Sequence, residues 1–480
     1  MSPSRLPNGG VDLLKDIRTF CETHGVAETT FGRLAGNDGK LVGRIASGSA
    51  ITTVTAQRLR TFMAGVMTGQ TRLKGRPRRK HDVSTATTMA ALSSRESGIR
   101  TVSSLAFHEQ RQRYLVFAGT TNEAAVVADR AAVEIRSLKA RQPGMRLFIS
   151  PSDDGLAINR LLRSFHRSFP GVPVLVVIRG RGLEELHSTM SLLIDRLVEN
   201  PLTVLVLTNL YMREAVCLQK LSDDCPHDLV WRDISLRGSH SLDFQEQLEP
   251  LYPQLADEWQ VHRGKSGQPV YDRPSVLVLY REDQRFLLDP LLPRPDTGAT
   301  LRFDYCLLNR PYLHSHPMGF RIEHVLLPVA ERLEEGGCVT VVQSAGDDPA
   351  HDIVRHVWPH ADMDFVRRHE VIAELRRELG DRARDFTFKG MTDTGSLFRF
   401  DMHALPRITD QPLGALSLAS AWNNAVYFAQ VRDESVQQAM REGTAYLEAA
   451  REVIAHHDGL WFLNESFSFT RRTAGSDARG

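Results

Sequence analysis

Between Met145 and Ile178 the apolar positions change period twice. Met145-Arg-Leu-Phe-Ile-Ser150 is a short apolar run that predicts a strand, and Pro151-Ser-Asp-Asp-Gly155 predicts a turn. From Leu156 to Phe169 the apolar residues Leu156, Ile158, Leu161, Leu162, Phe165 and Phe169 recur at near-helical spacing. Pro170-Gly-Val-Pro173 breaks that helix, and Val174 to Ile178 is apolar throughout, as a strand buried on both faces requires. The pattern then predicts a helix over 183–198 and a strand over 202–208 that ends at Asn209. Residues 211–270 show no regular period and read as a long irregular stretch. Further strands are predicted over 274–280, 301–308, 338–343 and 460–470, with helices over 320–333 and 416–455. Strands that alternate with helices predict a doubly wound α/β sheet, whose ligand sits outside the carboxyl ends of the strands.

The first part of the chain has only helical spacing. Leu13, Leu14, Ile17, Phe20 and Cys21 share one face of a helix over 11–24, which Gly25 ends. Shorter helices follow over 27–35 and from Lys40 to Ile45, separated by the turn Gly36-Asn-Asp-Gly39, and a fourth runs from Thr53 to Met67. Short helices around a glycine-bearing turn suit either a helix-turn-helix or a small oligomerisation module, and a homodimer is one candidate assembly. In the first case Lys40 and Arg44, four residues apart, lie on one face of the reading helix.

Charge shifts the choice toward nucleic acid. The net charge is only +1, yet residues 1–100 hold 16 Lys and Arg against 7 Asp and Glu, leaving the remainder at −8. A basic arm on an acidic body suits DNA as a partner. Lys74-Gly-Arg-Pro-Arg78 resembles an AT-hook core, with Lys74, Arg76 and Arg78 suited to the negative potential of a narrow minor groove. A solvated basic linker is the plainer account. Five scattered cysteines without a Cys-x-x-Cys pair, and no apolar run of membrane-spanning length, point to a cytoplasmic protein without a membrane partner. His314-Ser-His316 has no carboxylate or cysteine pair at ligand spacing, and His456-His457 fits a helix end, so no metal is expected.

The element order resembles a class I S-adenosylmethionine (SAM)-dependent methyltransferase: a doubly wound, Rossmann-like sheet, here preceded by a small all-α helix-turn-helix-like domain. The helix and Gly336-Gly337 before the strand at 338–343 resemble the approach to the fifth strand of that fold. Met145-Arg-Leu-Phe148, Arg163 to Pro170, Val204 to Tyr211, Val270 to Arg281, Asp347-Asp-Pro349, Val357-Trp-Pro359 and Gly459-Leu-Trp-Phe462 resemble a group of alphaproteobacterial methyltransferase-like proteins. Phe20 to Gly25 and Thr30 to Ala35 resemble a helix-turn-helix-like module of the same bacteria. The implied domains are residues 1–68, a basic linker at 69–104, the methyltransferase-like body at 105–472 with an insertion near 211–300, and a tail at 473–480.

The resemblance implies SAM as cofactor and an unidentified methyl acceptor. The family's first loop reads Asp/Glu-x-Gly-x-Gly-x-Gly. Here Ile149 stands at the acid, Pro151 and Asp153 stand at the first two glycines, and Gly155 alone remains. Asp153, Asp154 and Gly155, with Asn209, are then the candidate cofactor contacts. The second strand, which ends in a ribose-binding acid in the family, ends here in Ile178-Arg-Gly-Arg181. Asn309-Arg-Pro-Tyr312 resembles the Asn/Asp-Pro-Pro-Tyr motif of amino methyltransferases, with Arg310 in place of the first proline. By that resemblance Asn309 accepts from a target amine and Tyr312 stacks on the substrate. Two readings remain: a methyltransferase with an altered cofactor loop that acts on an amine, or an inactive methyltransferase-fold regulator or ligand sensor that binds DNA through its first domain.

Overall fold

The computed structural model describes residues 9–23, 28–36, 38–47, 53–67, 111–151, 153–180, 182–221, 225–263, 269–293, 300–360, 365–405 and 413–473. The chain divides into two compact units, Met1–Ser93 and Ser94–Gly480. Within the first lie α1 (Gly9–Thr23), α2 (Glu28–Gly36), α3 (Leu41–Ala46) and α4 (Thr53–Met67), close to the four predicted helices. Their core joins Leu13, Ile17, Phe31, Val42 and Leu59, and Phe31 meets both Phe20 and Phe62 edge-on. The α2–α3 turn is tight: Asp38 N–H donates to Gly32 O, and a Cβ at Gly32 would lie 2.5 Å from Asp38 O.

The second unit opens with α5 (residues 111–120) and α6 (Glu123–Ile135). Then come β1 (Met145–Ser150), α7 (Leu156–Ser168), β2 (Val174–Arg179), α8 (Leu183–Glu199) and β3 (Thr203–Thr208), nearly as the periodicity predicts. Residues 211–270 are not irregular. They form α9 (Met212–Ala215), β4 (Val230–Leu236), α10 (Ser241–Leu248), α11 (Tyr252–Glu258) and the hairpin of β5 (Val261–Arg263) with β6 (Pro269–Tyr271). After β7 (Ser275–Arg281) come α12 (Leu288–Leu291) and β8 (Phe303–Asn309). The helix predicted over 320–333 is α13 (Met318–Arg321), a π-helical turn at Ile322–Leu326, and α14 (Leu327–Glu331). Next are β9 (Leu333–Ser344), α15 (Pro349–Val357), α16 (Arg368–Leu379), β10 (Phe386–Lys389), α17 (Asp393–Ser396) and β11 (Leu397–Asp401). The single helical stretch expected over 416–455 is three helices: α18 (Ala415–Phe428), α19 (Asp433–Glu442) and α20 (Ala445–His457). Positive φ at Gln430 and Gly443 sets the two breaks. The last strand is β12 (Trp461–Arg471).

One sheet runs β10-β12-β9-β8-β1-β2-β3-β7-β4, with β11 also paired to β12. Strands β3, β2, β1, β8 and β9 are parallel, and β12 runs antiparallel between β9 and β10. This is a doubly wound, Rossmann-like α/β sheet, as the element order predicts. The stretch read as an insertion adds β7, antiparallel to β3, and β4 to one edge.

Two-residue alternation assigns the strand side chains to two cores. Phe148, Val177, Val206 and Leu308 pack on α13, α14 and α16, whereas Leu147, Ile149, Val176 and Leu205 pack on α6, α7 and α8. Because both faces are buried, the strands read as unbroken apolar runs. Within β9, the register jumps from Phe303↔Leu333 to Tyr305↔Cys338, so the intervening residues bulge. Gly337 permits the bulge, since a Cβ there would lie 2.7 Å from Phe303 O.

Candidate functional site

The strand order reverses between β1 and β8, each paired to the other and continuing outward on opposite sides. The crevice at the carboxyl ends of such a pair is where an open α/β sheet takes its ligand. Ser150 and Leu308 are register partners there, so the loop after β1 and Asn309 at the end of β8 start side by side.

The loop after β1 is held by the chain itself. Asp154 is buried, and its Oδ1 accepts from Leu156 N–H at 3.0 Å, which satisfies one open donor of the first turn of α7. Asp154 N–H donates to Tyr114 Oη at 3.2 Å, and Arg111 Nη2 donates to Asp153 O at 3.2 Å. Helix α5 is thereby fastened over the loop. Asp153 and Gly155 have φ of 51° and 82°. At Gly155 a Cβ would lie 3.0 Å from Thr189 Cα, so this glycine admits the close passage of α8 as well as the left-handed turn.

The other wall comes from β8 and α6. Arg310, at φ 47°, aims its guanidinium inward and ion-pairs with Glu123 at 3.0 Å. Both side chains are almost fully buried. The rings of Phe117 and Tyr427 lie 5.4 Å from the guanidinium and that of Phe428 lies 5.6 Å away, a cation–π cage. Burial pushes the Glu123 carboxyl up against the pull of Arg310, and burial also drives the Tyr114 hydroxyl up, with Asp153 and Asp154 adding to it. The fold thus gathers Arg111, Tyr114, Glu123, Asp153, Asp154 and Arg310 around one crevice. The sequence marked the two aspartates as contacts and Arg310 only as a mismatch in a motif; Arg111, Tyr114 and Glu123 lie on α5 and α6, which precede the sheet and carry no motif. Buried acceptors in this region without a hydrogen-bond partner include Asn309 Oδ1 and Glu123 Oε1, with the Asn464 side chain beside Glu123.

Two of the predicted contacts have structural duties. Asn209 Nδ2 donates to Arg273 O, and its Oδ1 accepts from Ser275 N–H, each at 2.8 Å. Its amide therefore pins β3 to β7, with β2 standing between β3 and the crevice strand β1. Asn209→Ala should lower stability by about 1–3 kcal/mol, read by urea denaturation, through loss of a buried bridging group. Tyr312, expected to stack on a substrate, is buried; its hydroxyl donates to Gln343 Oε1, and the guanidinium of Arg321 lies 4.9 Å from its ring centroid. That face is covered by the chain.

Arg179 ends β2 as a donor. Its Nε donates to Leu210 O at 2.7 Å, and Nη1 lies 3.4 Å from Ser150 Oγ. A guanidinium has no acceptor for ribose hydroxyls. In the first unit, Lys40 is exposed just before α3, while Arg44 is ion-paired with Asp38 on a helix of six residues. Lys74, Arg76 and Arg78 lie outside the described residues. Among the described residues no group of three His, Cys, Asp or Glu side chains could hold a metal ion, and no helix is long and apolar enough to cross a membrane.

No protein-family profile matches the chain, and no curated protein does. Among solved structures it is similar to a loganic acid methyltransferase with S-adenosylhomocysteine, at 9% identity and a TM-score of 0.33 over 76% of this chain and 95% of that one. It is also similar to phosphoethanolamine N-methyltransferase 2 of Haemonchus contortus, in complex with phosphomonomethylethanolamine and S-adenosylhomocysteine. That match has 9% identity and a TM-score of 0.21, over 72% of this chain and 53% of that one.

Proposed function

We propose that the chain is a SAM-dependent methyltransferase-like protein that acts on an amine, with a divergent cofactor loop closed by its own helix α5. The observation that carries this is Asn309 Oδ1: a buried acceptor without a partner, at the carboxyl end of β8 and on the switch-point crevice. Leaving such a group unsatisfied costs about 1–3 kcal/mol, which an incoming N–H donor would recover. An amine would offer that donor, and the amide would then fix the direction of its lone pair.

The donor set fits SAM at one end. Its ammonium and sulfonium suit the carboxylates of Asp153 and Asp154 and the unpartnered Glu123 Oε1. At the ribose, Arg179 offers donors where acceptors are wanted, so recognition there would have to come through other groups. Bound, SAM would supply an electrophilic methyl group. Glu123 and Arg310 would hold the wall of the crevice, and the aromatic cage would keep water from it.

Titration calorimetry of the full chain with SAM and S-adenosylhomocysteine tests the reading. Micromolar binding is expected, with Asn309→Ala binding SAM normally and transferring methyl groups to amines at least roughly tenfold more slowly. Absence of heat at millimolar ligand, or an Asn309→Ala protein as active as its parent, would overturn it. Gly155→Val is a poor probe, because the positive φ and the contact with α8 make it a folding variant.

A further inference from the structure

A guanidinium and a carboxylate can pair through two parallel hydrogen bonds. Arg310 and Glu123 use one: Nη2 donates to Oε2 at 3.0 Å. Among the described residues, Arg310 Nε and Glu123 Oε1 are both buried without a hydrogen-bond partner. Further open groups stand with them. Asn309, whose Oδ1 has no partner, lies on the side of β8 that carries Tyr305 and Leu307 toward α6, the helix that bears Glu123. The Asn464 side chain lies beside Glu123, and neither its Oδ1 nor its Nδ2 has a partner. Buried polar groups are ordinarily hydrogen-bonded, so a cluster with this many open ones points to an occupant still to come.

The backbone of Arg310 is also held away from its preferred region. A φ of 47° is left-handed, which is unfavourable for any residue with a Cβ, and Pro311 favours extended backbone in the residue before it. The buried ion pair and the rings of Phe117, Tyr427 and Phe428 keep this conformation in place. Relaxation to the extended region would turn the side chain out of the cage. Three aromatic faces and a carboxylate would remain, the recognition chemistry of an organic cation. Beside them stand the acceptors Asn309 Oδ1, Glu123 Oε1 and Asn464 Oδ1, none of which the guanidinium satisfies. An alkylammonium carries three N–H donors and no acceptor.

We propose that Arg310 is a displaceable internal occupant of an alkylammonium site: the amine enters the cage of Phe117, Tyr427 and Phe428, takes the place of the guanidinium against Glu123, and donates to Asn309 and Asn464. In the resting chain Arg310 keeps the site closed. The inference deepens the amine reading and rests on it for methyl transfer alone, since binding needs no SAM.

The test is calorimetry and thermal denaturation of the full chain, without SAM, titrated with methylammonium, with tetramethylammonium and with sodium at matched ionic strength. Saturable binding of methylammonium is expected in the unaltered chain, with weaker binding of tetramethylammonium, which suits the cage but has no N–H, and none of sodium. Arg310→Ala, which removes the internal competitor, should bind methylammonium at least roughly tenfold more tightly. Tyr427→Leu, at a half-buried edge of the cage, should weaken binding even if Arg310→Ala fails to fold. Methylammonium bound without any response to SAM would strike the methyltransferase reading and support this one. An unaltered chain that binds no methylammonium saturably, tetramethylammonium bound at least as tightly, or Tyr427→Leu binding as the unaltered chain does would overturn the proposal. Arg310 would then be a fixed part of the wall, and the open groups would belong to ordered water.

Discussion

Glu465→Ala is expected to destabilise the second unit by about 3–5 kcal/mol, the cost of stranding a buried charge. Glu465 is fully buried on β12, opposite Gln343 of β9. Its carboxylate accepts from Arg368 Nη1 and Gln343 Nε2, each at 2.7 Å, and from Arg368 N–H at 2.8 Å. Without it, Arg368 would keep only the carbonyl of Gly390 and the exposed carboxylate of Asp393, which water screens. Gln343 would lose a partner too, and Gln343 is what holds the hydroxyl of Tyr312 at the end of the crevice strand. Urea denaturation measures the loss. The double variant Glu465→Leu with Arg368→Met should recover much of it, because removing both charges removes the stranding. A single variant as stable as its parent would show that the pair carries no weight.

Stability should also fall steeply between pH 6.5 and pH 4. His166 is held down to about 4 by burial, with the nearby Arg196 charge adding to it, and His314 is held down to about 3. Unfolded, both imidazoles titrate near 6.5. Between the folded and unfolded values the unfolded chain binds more protons, so stability rises with pH in that window. It is fully present above pH 6.5 and is lost as the pH falls. At pH 5, each histidine should cost about 1–2 kcal/mol, after a discount for partial exposure. Comparing urea midpoints at pH 7 and pH 5 measures this. His166→Gln, which preserves a group for Thr203, and His314→Gln should each flatten the slope; an unchanged slope in both would refute the assignment.

Alternation and helical spacing located β1, α7, β2, α8 and β3 within a residue or two, because each strand is buried on both faces and each helix on one stripe. Those are local consequences of burial, legible wherever a segment is apolar by itself. The same logic failed at 211–270, where β4 is only half-buried and shows no clean period. Its place in the sheet depends on β7, which no local pattern names.

The site was less legible, for a reason shown by two asparagines. Asn209 and Asn309 both end an apolar strand and look alike in sequence. The first is satisfied by β7, through residues 64 and 66 positions away, and the second keeps a buried oxygen without a partner. Arg310 looked like a mismatch in a motif; the fold makes it half of an ion pair with Glu123, 187 residues earlier. Sequence determined which segments are strands and helices, and so the order of the sheet around its switch point. Only the tertiary structure decided which polar atoms are already satisfied, because hydrogen bonds and ion pairs saturate through partners that chain folding, and not sequence proximity, brings within reach.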